Sequence, residues 1–131
     1  FAMVRSSNPE GESLQKALLP SGHSVAEDMC HAITNYNREI DAVETGSVGA
    51  VVGATCADAE PIIEQLPLSY ILAPGIGAQG AKIADLAARL PNARGRILPS
   101  VSRGILANGT SEADIRTAIQ ALREDALQLR S

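Results

Sequence analysis

Short apolar runs alternate along this chain with longer segments in which apolar residues recur at helical spacing. The apolar runs predict four strands, at residues 1–5, 48–54, 70–73 and 95–99. The run at 48–54 does not alternate polar and apolar positions, so both of its faces should be buried, as in a parallel sheet. A helical pattern follows each run. The pattern therefore predicts a strand followed by a helix, repeated about four times.

The predicted helices begin and end at specific signals. Ser24 and Glu27 form a capping box that opens a helix reaching Ile40. In that helix Ala26, Met29, Cys30, Ile33 and Ile40 form the apolar side, while Asp28, Asn35, Asn37 and Arg38 face elsewhere. Other helices are predicted at 13–19, from a cap at Thr55 or Asp58 to about Pro67, at 82–90, as a single turn within 100–106, and from a cap at Thr110 or Ser111 to about Leu127.

Repeated strand–helix units imply a parallel sheet with right-handed crossovers. The chain has 131 residues, about half of the roughly 250 that an eight-fold barrel typically needs. Length leaves two architectures open, half of such a barrel or a small open α/β sheet. The chain starts on a strand with no initiator Met. We therefore expect a single domain over residues 1–131 that is a fragment of a longer chain.

Composition narrows the classes of function. Hydrophobic residues make up 45% of the chain and charged residues 20%, which is typical of a globular domain. The net charge of -4 and the 2% of aromatic residues argue against a nucleic-acid or anionic-membrane surface. Cys30 and Cys56 lack the spacing of a zinc site, and no apolar run is long enough to span a bilayer. We expect reduced, partly buried thiols in a cytoplasmic protein without a metal site.

The segment 74–81, Pro-Gly-Ile-Gly-Ala-Gln-Gly-Ala, lies between a predicted strand and a predicted helix. Glycines let the backbone approach a ligand, and N–H groups converge where a helix begins, so this order favours a phosphate site. Gln79 adds an amide donor. A tight turn without a ligand would use the same glycines, and no Gly-Lys-Ser/Thr of a Walker loop follows.

Arg103 lies just after the predicted strand that follows this turn. Its guanidinium can hold phosphate with a planar, permanently charged fork. A single Arg is more often a solvated surface cation. The position after the strand next to the glycine turn favours the phosphate interpretation, because barrels bind phosphate after their last two strands.

Ser7 and Asn8 follow the first predicted strand at the same end. They could bind the polar edge of a ligand. They could also form a turn by bonding their own backbone, which is the commoner case for Ser-Asn-Pro.

Four segments taken in order resemble orotidine 5'-phosphate decarboxylase, and most nearly its divergent bacterial group. They are Arg-Ser-Ser-Asn-Pro at 5–9, Val-Gly-Ala-Val-Val-Gly-Ala-Thr at 48–55, Leu-Ala-Pro-Gly-Ile-Gly-Ala-Gln-Gly at 72–80, and Leu-Pro-Ser-Val-Ser-Arg-Gly-Ile-Leu at 98–106. The resemblance covers essentially the whole chain but only the C-terminal half of the enzyme. It implies the C-terminal half of a (β/α)₈ TIM barrel, and a complete enzyme that forms UMP and CO₂ from orotidine 5'-phosphate without a cofactor, usually as a homodimer.

The resemblance also assigns roles to residues. It implies that Gln79 and Arg103 hold the 5'-phosphate, that N–H groups near Gly80 and Gly104 assist, and that Ser7 contacts the pyrimidine. The missing N-terminal half of the barrel would be the partner of this chain.

The catalytic signature of the family, Asp-x-Lys-x-x-Asp, does not occur in this chain. Lys82 and Asp85 have the Lys-x-x-Asp spacing, but Gly80 stands where the first Asp would be. Lys82 fits the first turn of a helix, and Lys16 lies in a short helical pattern away from the strand ends. We therefore expect no catalytic residue in this chain and no activity from it alone.

Two other functions are compatible with these features. Another phosphosugar-binding barrel, such as an epimerase or isomerase, would share the phosphate site but lack the combination of Ser7, Asn8, Pro9 and Gln79. A non-catalytic module that binds a phosphorylated ligand is supported by the absent lysine array.

Overall fold

The structure is a computed structural model that describes residues 1–40, 45–77 and 80–130, apart from the side chain of Arg130. Its four strands are β1 (Ala2–Arg5), β2 (Ala50–Val52), β3 (Ile71–Ala73) and β4 (Ile97–Pro99). They form one parallel sheet in the order β1-β2-β3-β4. The predicted α/β fold is confirmed, since each predicted strand is present, although shorter by one or more residues.

The described residues also form six α-helices. They are α1 (Pro9–Gln15), α2 (Val25–Glu39), α3 (Ala59–Glu64), α4 (Ile83–Arg89), α5 (Arg103–Leu106) and α6 (Glu112–Leu127). Two 3₁₀ turns are at Pro91–Ala93 and Gln128–Arg130. The capping box at Ser24 and the cap at Ser111 are both confirmed.

The first helix was predicted in the wrong place. It begins at Pro9 rather than at residue 13, because Asn8 is extended and the fixed φ of Pro9 suits the first helical position. A Cβ on Gly11 would lie 2.7 Å from Oγ of Ser6. The glycine thus allows α1 to pack closely against the segment that leaves β1.

Asn37 was predicted to face away from the core, and this was wrong. Asn37 lies on α2, and its side chain is fully buried against the segments that lead into β2 and β3. Nδ2 donates to the carbonyl oxygens of Val48 at 2.8 Å and Leu68 at 3.3 Å, and lies 3.2 Å from Oγ of Ser69. Oδ1 accepts from the N–H of Val48 at 3.0 Å. A polar residue is tolerated here because nearly all of its hydrogen-bonding capacity is used.

The core lies between the sheet and the helices α2, α3 and α4. All three residues of β2 are buried, as predicted for a parallel strand. The helix α6 contacts α4 and α5 but buries none of its residues, and Ile119 and Leu127 are about half exposed. Leu122 and Ala126 are half-buried against the core, so the apolar residues of α6 are only partly covered by the rest of the described chain.

Cys30 and Cys56 are free thiols and both are buried, rather than partly buried as predicted. Burial raises the pKa of the Cys30 thiol to about 12, and burial also raises that of Cys56. No helix among the described residues is both long and apolar enough to cross a membrane.

The sheet has an open edge on each side, at β1 and at β4. Unpaired strand edges invite association with other chains. We expect the isolated 131-residue chain to be oligomeric or to aggregate, and addition of the remaining strands of a barrel to suppress this association. Sedimentation velocity over a dilution series measures it, and a stable dilute monomer with cooperative unfolding would contradict the half-barrel interpretation.

Candidate functional site

Parallel strands bring their carboxyl ends to one edge of the sheet. The segments that leave this edge are 6–8 after β1, 53–57 after β2, 74–81 after β3 and 100–103 after β4. Ala73 pairs with Pro99, so the two segments thought to bind phosphate start side by side. In open α/β sheets and in barrels, ligands bind at this edge.

The turn after β3 needs its glycines for conformation. Gly75, Gly77 and Gly80 have φ values of +100°, +73° and +91°, which side chains with a Cβ rarely adopt. The turn is closed by hydrogen bonds from Gly77 N to Ala81 O at 2.8 Å and from Gly80 N to Gly77 O at 2.9 Å. A Cβ on Gly80 would meet nothing within 4 Å, so open space adjoins the turn at this residue.

The turn after β3 and the start of α5 lie next to each other. A Cβ built on Gly77 would be 3.9 Å from Cα of Gly104. Arg103, the first residue of α5, is exposed, and its side chain makes no hydrogen bond or ion pair with the described part of the chain. Gly104 lies in the first turn of α5, where N–H groups lack a helical acceptor. Gln79 falls outside the described residues, so its predicted role remains a prediction.

Ser7 lies at the carboxyl end of β1, close to the segment after β2. A Cβ on Gly53 would lie 3.1 Å from the backbone nitrogen of Ser7 and 3.0 Å from Sγ of Cys56. A larger residue at 53 would therefore displace Ser7 or Cys56. The exposed side chain of Ser7 borders a cavity of about 210 Å³. The residues lining this cavity are Arg5, Ser6, Ser7, Glu12, Lys16, Thr55, Cys56 and Ala57.

Gln15 holds the segment that contains Ser7. Its Oε1 accepts from the N–H of Ser6 at 3.0 Å and from Nη1 of Arg5 at 3.1 Å, and its Nε2 lies 2.9 Å from Oγ of Ser6. Arg5 also donates to the carbonyl oxygen of Ser6 at 2.9 Å. The position of Ser7 is thus set by the side chain of a helix residue as well as by the strand.

A charged cluster beside this cavity was not predicted from the sequence. Arg5 is buried, and its Nε lies 3.0 Å from both carboxylate oxygens of Asp58. Burial alone lowers the pKa of Arg5, but the hydrogen bond and charge of Asp58 outweigh it and raise that pKa. Glu12 lies 3.4 Å from Nη2 of Arg5 and also pairs with Lys16. Its pKa is lowered by the hydrogen bond and charge of Lys16.

Two predictions are corrected by this cluster. Lys16 is not remote from the strand ends, since it lines the cavity with Ser7 and its Nζ is 3.9 Å from Oδ2 of Asp58. Asp58 is the N-cap residue of α3, but its side chain makes no capping bond because it pairs with Arg5 instead. A third correction lies outside this cluster: Lys82 was predicted in the first turn of a helix, but it is the extended N-cap residue of α4. A charged residue ending a buried strand, as Arg5 does, was the available signal for the cluster.

One group of side chains in the described part of the chain has the composition of a metal site. It consists of His23, Asp28 and His31 at the start of α2. This group was not predicted from the sequence, because its three residues are spread over a loop and a helix without a familiar spacing.

Known proteins that are similar in sequence to this chain include orotidine 5'-phosphate decarboxylases. No family model matches the chain. It is 37% identical over 121 residues to an orotidine 5'-phosphate decarboxylase of Myxococcus xanthus, a match that covers 92% of this chain and 42% of that protein. It is 40% identical to the orotidine 5'-phosphate decarboxylase of Streptomyces coelicolor, a match that covers 90% of this chain and 41% of that protein. The chain spans somewhat less than half the length of the curated relatives it matches.

Solved structures agree with these relatives. A crystal structure of a candidate orotidine 5'-phosphate decarboxylase from Streptomyces avermitilis superimposes with a TM-score of 0.83 and 37% identity, covering 99% of this chain and 45% of that one. The structure of the OMP decarboxylase of Leishmania donovani superimposes with a TM-score of 0.69 and 25% identity, covering 99% of this chain and 47% of that one. The four parallel strands correspond to about half of these barrels. Along nearly its whole length, the chain therefore resembles the C-terminal half of orotidine 5'-phosphate decarboxylase.

Proposed function

We propose that this chain is the phosphate- and pyrimidine-binding half of an orotidine 5'-phosphate decarboxylase, which converts orotidine 5'-phosphate to UMP and CO₂. The observation that carries the proposal is the close approach of Gly77, in the turn after β3, to Gly104 at the start of α5. The neighbouring side chain of Arg103 is exposed and unpaired within the described chain. An anion at this point would meet a permanent positive charge and the N–H groups of a first helical turn.

In this proposal Arg103 and Gln79 bind the 5'-phosphate, and the N–H groups near Gly80 and Gly104 complete the site. Gly80 N donates to Gly77 O in the present conformation, so a contact with phosphate requires that bond to open or to be shared. Phosphate binding far from the reacting carbon accelerates a reaction when part of its energy holds the substrate in an unfavourable environment. The residues that create this environment would belong to the other half of the barrel.

Ser7 is the proposed contact to the pyrimidine. It lies at the same edge of the sheet as the phosphate site, two strands away from β3. The complete enzyme would be a cytoplasmic homodimer that needs no cofactor and no metal for catalysis. These properties rest on the resemblance.

A non-catalytic module that binds a phosphorylated ligand is the second candidate. It is favoured by the absence of Asp-x-Lys-x-x-Asp from these 131 residues. The two candidates differ in what happens when the rest of a barrel is supplied, because only the decarboxylase would then gain activity.

The isolated chain is expected to release no CO₂ from orotidine 5'-phosphate above background. Joined to a complementary half that carries Asp-x-Lys-x-x-Asp, it should decarboxylate that substrate. Loss of absorbance by the substrate, checked by detection of UMP, measures the reaction.

Two variants make this experiment sharper. Turnover by the isolated chain that is abolished by Lys82→Ala or Lys16→Ala would mean that the catalytic lysine is in this half. A joined barrel that folds and binds UMP but remains inactive would favour the non-catalytic module.

Gln15→Ala in the complete enzyme should weaken binding of the pyrimidine by releasing the segment that contains Ser7. The variant removes two hydrogen bonds with Ser6 that join neutral groups and are worth about 0.5–1.5 kcal/mol each, so we expect KM to rise by about 2- to 12-fold for each of them. It also removes the bond that Oε1 accepts from the Arg5 guanidinium, which still pairs with Asp58. Because the effect acts on the pyrimidine, it should be equal for orotidine 5'-phosphate and for orotidine.

Gln65→Ala is the matched control for Gln15→Ala. The side chain of Gln65 bonds only to the carbonyl oxygen of Pro61 among the described residues, at the end of α3. It should leave KM unchanged. An effect of Gln15→Ala confined to the phosphorylated substrate would contradict the role given to Ser7.

A further inference from the structure

The chain contains two histidines, and the fold brings both to one place beside a carboxylate. The ring centroids of His23 and His31 are 4.7 Å apart, with the ring planes at 74°. One potential ligand atom from each of His23, Asp28 and His31 lies within 4.8 Å of the other two. All three side chains are exposed, and they lie outside the residues proposed to bind nucleotide.

The backbone fixes the relative positions of these three residues. Asp28 and His31 are three residues apart on α2, so they share one face of the helix. His23 precedes the capping box, in a loop closed by a bridge between Leu18 and Ser24 and by a 2.8 Å hydrogen bond from Leu19 N to His23 O. Both the loop and the helix start are therefore held in place, and only side-chain rotation is free.

Imidazole nitrogen and carboxylate oxygen together suit a divalent transition-metal ion. Zinc bonds to these atoms are about 2.0–2.2 Å long, which places neighbouring tetrahedral ligands about 3.4 Å apart. The ligand atoms here lie within 4.8 Å of one another, so they need to approach by at most about 1.4 Å, which exposed side chains can do by rotating. Glu27 is not counted as a ligand, because its Oε2 already accepts from the N–H and hydroxyl of Ser24.

We propose that His23, Asp28 and His31 bind one divalent transition-metal ion, such as Zn²⁺, with water completing its coordination. The ion ties the loop before α2 to the first two turns of the helix. This site departs from the sequence-based expectation of no metal, and it does not depend on the proposed decarboxylase function.

The test is a titration of the full protein that carries this chain with Zn²⁺, in competition with a chromophoric chelator. His23→Ala, His31→Ala and Asp28→Asn should each weaken the binding of one equivalent of Zn²⁺ at least tenfold. Loss of a residue that merely supports a ligand typically costs 10- to 100-fold, so loss of a ligand should cost no less. Excess Mg²⁺, which prefers an all-oxygen octahedral site, should not displace Zn²⁺.

Asp125→Asn is the matched control, since it removes an exposed carboxylate from α6 and should leave Zn²⁺ affinity unchanged. All four variants alter exposed side chains, so circular dichroism should show an unchanged fold. Equal affinity and stoichiometry in the parent protein and the His23→Ala/His31→Ala double variant would overturn the proposal. A thiolate charge-transfer band with Co²⁺ that persists in this double variant would also overturn it, since cysteines would then be the ligands.

Discussion

Arg103→Ala in the complete enzyme is expected to lower kcat/KM for orotidine 5'-phosphate by about 10²- to 10⁴-fold. The variant removes a bidentate, charge-assisted contact, and a hydrogen bond to a charged group is worth about 1.5–3 kcal/mol, or about 3–6 kcal/mol for two. Each 1.4 kcal/mol is a factor of ten. Part of the loss should appear in kcat, because phosphate binding contributes to the transition state of a reaction at a distant carbon.

The control for Arg103→Ala is orotidine, the substrate without phosphate. If Arg103 acts through phosphate, its replacement should leave kcat/KM for orotidine nearly unchanged. Arg94→Ala removes another exposed arginine, which precedes β4 and therefore lies toward the opposite edge of the sheet, and it should affect neither substrate. Equal losses for both substrates in Arg103→Ala would mean that Arg103 supports the fold or the pyrimidine site.

Gln79→Ala should cost less than Arg103→Ala. It removes a neutral donor worth about 0.5–1.5 kcal/mol, which corresponds to about 2- to 12-fold in kcat/KM. The ratio of the losses of kcat/KM in Arg103→Ala and Gln79→Ala thus measures how much of the binding energy of the phosphate comes from the charge of Arg103.

Asn37→Ala is expected to destabilise the protein by about 2–4 kcal/mol. The variant leaves the N–H and the carbonyl oxygen of Val48 without their side-chain partner, and each unsatisfied buried group costs about 1–3 kcal/mol. The carbonyl oxygen of Leu68 loses one donor but still accepts from the N–H of Gly46 at 2.8 Å. Water that enters the space left by the side chain would offset part of this cost. The free energy of unfolding in urea measures the effect.

Two further variants test whether the lost hydrogen bonds cause the destabilisation expected for Asn37→Ala. Asn35→Ala changes an exposed asparagine on the same helix and should alter stability by no more than about 0.5 kcal/mol. Asn37→Asp keeps the size of the side chain but replaces the donating amide by a carboxylate, so it should destabilise at least as much as Asn37→Ala. Unchanged stability in Asn37→Asp would mean that donation to Val48 and Leu68 is not what holds this position.

Local patterns were sufficient to predict the strands and most helices. The strands are short apolar runs, and the capping signals at Ser24 and Ser111 lie within three residues of the groups they bond. The turn after β3 was predicted because glycine has few substitutes at positive φ, as at Gly75 and Gly77.

The features that were missed depend on residues far apart in the chain. Arg5 and Asp58 are separated by 53 positions, and Asn37 reaches Leu68 across 31. A polar residue in an amphipathic helix is normally assigned to the solvent side. Only the tertiary fold reveals that Asn37 bonds to Val48 and Leu68, in the segments that precede β2 and β3. Lys16 was misplaced for the same reason, because the position of α1 over the ends of β1 and β2 is a long-range property.

The strand order β1-β2-β3-β4 matches the order of synthesis. Each strand pairs with the one made just before it, so the sheet can grow by one strand–helix unit at a time while the ribosome extends the chain. Within this sheet, no strand has to wait for a partner from a distant segment, which keeps the loops to be closed short. We therefore expect nascent chains released after β3 to protect the amides of β1 and β2 from hydrogen exchange before β4 exists.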